Sequence, residues 1–209
     1  MTKYNMLQKT MKWTIILCLL AVLPLSTHAE DAKTILDKAS QTVSNPAGMQ
    51  ANFQMVTKQY GTTSGTIAVK GRKFHATTPQ AIIWFDGKTQ WTYMKQNEEV
   101  NVANPTDAEL QAINPYNFIN IYKKGFKYSA KTVNNSYEVH LKATDKKAKI
   151  QEMYIIVDKN TYHPTHVKMK QKGKWGVIII NGLKSTSLSD GLFQFNAKDF
   201  PKAEIIDLR

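Results

Sequence analysis

Cysteine is all but missing from this chain: the single one, Cys18, sits in an apolar run near the N-terminus. No intrachain disulfide is therefore available to the fold. Arginine is almost as scarce, since Arg72 and Arg209 are the only arginines among 28 basic residues. Guanidinium forks carry bidentate recognition of phosphates and bases, whereas lysine supplies diffuse attraction and solvation. That argues against nucleic acid as a partner. It suits an anionic membrane face or partner, or a well-solvated surface. Beyond residue 25 there is no long apolar run, and the mean hydropathy is −0.39, so no further membrane span is expected.

Catalytic signatures are missing as well. There is no Gly-x-Ser-x-Gly, no His-Glu-x-x-His and no phosphate loop. His163 and His166 stand three apart with Pro164 between them, and no cysteine or third imidazole completes a metal set. His140 alternates with Glu138 and Lys142, as on a solvated strand face. Carboxylates are scattered over turns and helix starts. The chain does not read as an enzyme, and no cofactor or metal is expected.

The N-terminus has a clear pattern. Lys3, Lys9 and Lys12 precede an apolar run from Trp13 to Leu25, and Thr27-His28-Ala29 resembles a cleavage site. The run has about 13 residues, short of the roughly 20 that span a bilayer. We read residues 1–29 as a secretory signal peptide and residues 30–209 as one domain. Without the three lysines of that segment, 25 basic residues remain against 16 acidic ones.

Periodicity then gives the elements. Ile35, Leu36, Ala39 and Val43 predict an amphipathic helix over 31–43, stopped by Ser44 to Gly48. Met49, Ala51, Phe53 and Met55 alternate as a strand. Gly61 to Gly65 reads as a turn or loose loop, with Thr66 to Val69 as the partner strand. Asp86-Gly87 marks a hairpin between apolar runs. With a short bulged loop, Ile83 and Phe85 would share a face with Thr89, Trp91 and Tyr93. The β pattern breaks between Asn104 and Gly125. There Thr106-x-x-Glu109 fits a capping box, and Asn114-Pro115 starts a second short helix. Further short strands follow, and Phe193, Phe195, Phe200, Ile205 and Ile206 suggest a terminal strand or arm.

About eleven strands joined by tight turns predict an antiparallel meander that curls into a barrel or half-barrel. The two helical regions would lie against its concave side. Seventeen Phe and Tyr residues and eight Met fill an ordinary core or line a cavity for an apolar ligand. Composition does not choose between the two.

The order of these elements resembles the periplasmic outer-membrane lipoprotein carrier (LolA-like) family. The resemblance rests on Asp86-Gly87-Lys88-Thr89-Gln90-Trp91-Thr92-Tyr93, on the stretch from Ser40 to Gln59, on the helical insertion with Asn114-Pro115, and on Phe193-Gln194-Phe195. It implies a mainly β fold with helices: an unclosed antiparallel β-barrel covered by a helical lid. It also implies a periplasmic monomer that shields acyl chains without making or breaking a bond. Cargo would come from an inner-membrane lipoprotein-releasing transporter and pass to an outer-membrane acceptor. A carrier of other lipids or glycolipids, or a non-catalytic envelope adaptor, is the alternative.

On this resemblance the cargo cavity would be lined by Phe53, Met55, Val69, Phe74, Ile83, Phe85, Trp91, Tyr93, Tyr128, Val139, Leu141 and Met169. The lid would use Leu110, Ile113, Phe118, Ile119 and Tyr122. Family members often hold the lid shut with the Arg of an Arg-Pro pair before the hairpin. Here Lys70-Gly71-Arg72-Lys73 stands in that place, and Arg72 is the candidate lock, one residue out of step.

Overall fold

A computed structural model describes residues 30–58, 61–110 and 121–209. Its frame is one sheet of twelve strands. In chain order these are β1 (Met49–Thr57), β2 (Gly61–Lys70), β3 (Lys73–Thr77), β4 (Ala81–Phe85), β5 (Gln90–Met94) and β6 (Glu99–Ala103). Then come β7 (Phe126–Val133), β8 (Ser136–Ala143), β9 (Ile150–Asp158), β10 (Pro164–Gln171), β11 (Lys174–Ser185) and β12 (Glu204–Asp207). The spatial order is β12-β6-β5-β4-β3-β2-β1-β11-β10-β9-β8-β7. Two meanders thus meet at a seam between β1 and β11, and the sheet does not close into a barrel. Every pairing is antiparallel except β12 with β6.

The seam is irregular between Gln50 and Asn52 of β1, opposite a β11 stretch that holds Gly182 at φ +63°. Such a bulge strengthens local twist and bend. The polar 61–65 run is strand rather than loop: Thr57 faces Gly61 and Phe53 faces Gly65. A Cβ at Gly65 would lie 2.1 Å from the Thr77 carbonyl oxygen and 2.9 Å from the Phe53 ring. Glycine thus leaves room for that ring beside the neighbouring strand.

Helix α1 (Ala32–Val43) forms where the 3.6-residue period predicts it, with Ile35, Leu36 and Ala39 fully buried. It lies on the concave face of the β7–β10 wing. There it forms a core with Val139, Leu141, Met153, Ile155 and Val167. The capping box forms at α2 (Asp107–Leu110): Glu109 Oε2 accepts from the Thr106 amide at 2.9 Å, and the Glu109 amide donates to Thr106 Oγ1 at 3.4 Å.

The β4–β5 hairpin departs from its expected register. Asp86 Oδ1 accepts from the amides of Lys88 and Thr89, both at 2.8 Å, which closes a four-residue loop. Phe85 therefore faces Gln90, and Trp84 faces Trp91. Ile83 and Phe85 point into the concave side, while Trp91 and Tyr93 share the outer face with Trp84. The C-terminal segment covers that outer face. Phe200 packs on Tyr93 and Trp84 with ring centroids 4.7 and 5.5 Å away, and Phe195 packs on Trp84 at 5.4 Å. Asp190 pairs with Lys70 and Lys73, and Lys70 Nζ donates to the Leu188 carbonyl, which ties the segment to the β2–β3 turn.

Candidate functional site

Helix α1 fills only one wing of the concave face. Over β1 to β4 and the seam it leaves an apolar cavity of about 660 Å³. That is within the range of small-molecule sites. Its wall follows from strand parity. Met49, Ala51, Phe53 and Met55 alternate on β1, and their cross-strand partners Val69, Ile67, Ile180 and Ile178 line the same face. Among the described residues no Asp or Glu lines it.

Six residues expected from the sequence line this cavity: Phe53, Met55, Val69, Phe74, Ile83 and Met169. Phe85 is on the concave side but buried beneath Phe74 and Leu110, its ring 5.4 Å from that of Phe74. Tyr128, Val139 and Leu141 also face inward, yet they pack beneath α1 in the filled wing. Trp91 and Tyr93 are a correction: they lie on the outer face, because the hairpin loop has four residues and reverses their parity. The seam residues Ile178 and Ile180 were missed. They fall in a continuous apolar run, where no alternation shows which side faces inward.

Of the expected lid, Leu110 packs on Phe74 and Phe85, while Tyr122 joins the α1 core. Ile113, Phe118 and Ile119 lie outside the described residues. The Tyr122 hydroxyl donates to Asp37 Oδ1 on α1. The Lys33 ammonium and this hydroxyl hold the Asp37 carboxyl below the ordinary carboxylate range. Burial, then the Asp37 carboxylate, push the Tyr122 phenol well above its ordinary value. Arg72 stands exposed in the turn between β2 and β3, beside Gly71 at φ +58°.

Among the described residues no group of three His, Cys, Asp or Glu could hold a metal ion, and no helix is long and apolar enough to cross a membrane. His140 stacks on Tyr154 at 4.4 Å and bonds Glu152 at 2.8 Å, on the outer face of the sheet. The site offers shape and apolar surface rather than reactive groups.

Among solved structures, an uncharacterised conserved protein from Thermus thermophilus is similar at 13% identity and a TM-score of 0.58, covering 84% of this chain and 98% of its own. A LolA superfamily protein from Nitrosomonas europaea matches at 14% identity and a TM-score of 0.44, over 80% and 99% of the two chains. MucB of Pseudomonas aeruginosa, in complex with MucA, matches at 10% identity and a TM-score of 0.44, over 80% and 62%. At those scores the last two carry no weight. No curated protein matches. The model of the family described as outer membrane lipoprotein carrier protein LolA matches residues 23–173. That is most of the chain, and the protein belongs to this family.

Proposed function

We propose that this protein is a periplasmic carrier. It shields the acyl chains of lipoproteins in the cavity between its wings and moves them from the inner to the outer membrane. The segment 1–29 acts as a cleaved signal peptide and 30–209 as the carrier domain. The observation behind this reading is the cavity itself: apolar, about 660 Å³, and left by a helix that covers one wing only. An acyl chain gains roughly 0.8 kcal/mol per CH₂ removed from water, so such a wall keeps it soluble without chemistry. Release requires that the next site bind better or that the cover open. On this reading the helical insertion of Asn104 to Gly125 is that cover, with Arg72 as its candidate latch. Arg72→Leu then slows cargo transfer to the acceptor; transfer at the native rate removes the latch role.

Solvent extraction of the purified protein followed by mass spectrometry tests the reading. Co-purified acylated peptides identify lipoprotein cargo. Free lipids or glycolipids in their place move the assignment to a lipid carrier. A reproducibly empty protein that also fails to release lipoproteins from spheroplasts overturns both.

A further inference from the structure

The cavity is not uniform along its length. At one end Met49, Val69 and Phe74 make an uncharged, mostly apolar wall, with Gln50 beside Met49. At the other, Thr57 and Gln171 bring polar groups, and the three charged residues of the described lining gather there: Lys58, Lys172 and Lys174. Strand pairing fixes this grouping. Thr57, just before Lys58, faces Gly176, and Gln171 faces Lys174 across a turn made of Lys172 and Gly173 alone. All three lysines are exposed, so this is where the cavity meets solvent.

Lys172 has a conformation that its residue type disfavours. The two-residue turn needs positive φ at both positions, and it has +47° at Lys172 and +77° at Gly173. Asn, Asp or Gly usually fills the first of these. The Gly173 amide donates to Gln151 Oε1 at 3.3 Å, which holds the turn against the next hairpin. A lysine kept in left-handed backbone, at the mouth of an apolar cavity and beside two more lysines, has no structural rationale in the turn itself.

The geometry points to a binding site for the anionic head of an amphiphile whose chain fills the cavity. The inference rests on the cavity of the proposed function, in its lipid-carrier form rather than with lipoprotein cargo, and adds the ligand class: a single apolar chain ending in a carboxylate or phosphate. The chain lies along β1 and the seam. Its head rests at the mouth among the three ammonium groups, where water still reaches and the charges need not be desolvated. A neutral head of the same chain length would gain the cavity and lose the ion pairs.

Displacement of the neutral probe N-phenyl-1-naphthylamine from the delipidated protein tests this, with palmitate, hexadecyl phosphate and hexadecanol as competitors. We expect one or both anions to bind up to about tenfold tighter than the alcohol at low salt, as three solvent-exposed ion pairs allow. The preference shrinks as salt rises. Lys172→Gly keeps the turn and reduces the anion-to-alcohol ratio. Adding Lys58→Gln and Lys174→Gln brings it near one. Equal binding of all three competitors by the native protein overturns the head-group site and leaves the carrier reading intact. Failure of all three to displace the probe, or of the probe to bind, overturns the cavity reading and this site with it. Displacement by inorganic phosphate at the same concentrations overturns the amphiphile and leaves an ion site.

Discussion

At Gly65 a single missing carbon shapes the cavity wall. The Phe53 ring occupies the space a side chain would take, and the Thr77 carbonyl stands 2.1 Å from where a Cβ would be. Gly65→Ala must push strand β3 or that ring aside, and overpacking of this kind costs about 1–3 kcal/mol. Denaturant unfolding reads it as a lower midpoint, and an unchanged midpoint would show that the strands yield freely. Lys172 is the converse case. Replacing it by glycine relieves the φ of +47° and stabilises the fold by roughly 0.5 kcal/mol, part of the gain being offset by glycine's larger unfolded-state entropy. A measurable loss of thermal stability in Lys172→Gly would mean that the lysine itself supports the turn. The strain at Lys172 was not visible in the sequence, where the turn reads as Gly173-Lys174 and nothing about a lysine marks left-handed backbone.

Among the elements, the return of the central segment to α1 is the joint most open to test. Tyr122 is buried, and its hydroxyl bonds Asp37, whose carboxyl lies below its ordinary value. A depressed carboxyl contributes stability above the unfolded-state pKa and loses it as pH falls through the folded-state pKa. Asp37→Asn should therefore melt lower than the native protein at neutral pH, and the two should converge in acid, below the usual carboxylate range. A gap that stays constant with pH would show that the Asp37 charge is not what holds Tyr122. The start of α2 and the extent of α1 were readable in advance, while the second helix expected from Asn114-Pro115 lies outside the described residues. The capping box at Thr106 and Glu109 and the apolar face of α1 are local patterns, set by spacing within one turn or two.

For the whole molecule, the two faces of the sheet carry different tasks. The concave face is half core and half cavity. Ile178→Trp, placed mid-seam opposite Met55, should narrow the cavity and weaken binding of the naphthylamine probe while the protein still melts cooperatively. Undiminished probe binding would place the ligand elsewhere. The outer face of β3 to β5 is sealed by the C-terminal segment, whose 190–193 turn packs on β3 and β4 and buries Phe193 completely. Phe193→Ala should cost about 3–5 kcal/mol, measured by denaturant unfolding. A loss under 1 kcal/mol would mean that the segment is dispensable to the fold.

The chain by itself determined most of the strands and their turns, helix α1, the capping box and the lysine-rich charge, because each depends on neighbours within a few residues. Met49 to Met55 could be assigned to one face for the same reason. Only the tertiary structure decided which face that was for the hairpin after Asp86. Trp91 and Tyr93 alternate as perfectly for the outer face as for the inner one, and one residue more or less in the loop exchanges them. It also decided which wing α1 fills, and so why Leu141 is core while Met55 lines the cavity. That choice depends on β11 closing on β1 across more than a hundred residues of chain, and no local period records a contact made at that distance.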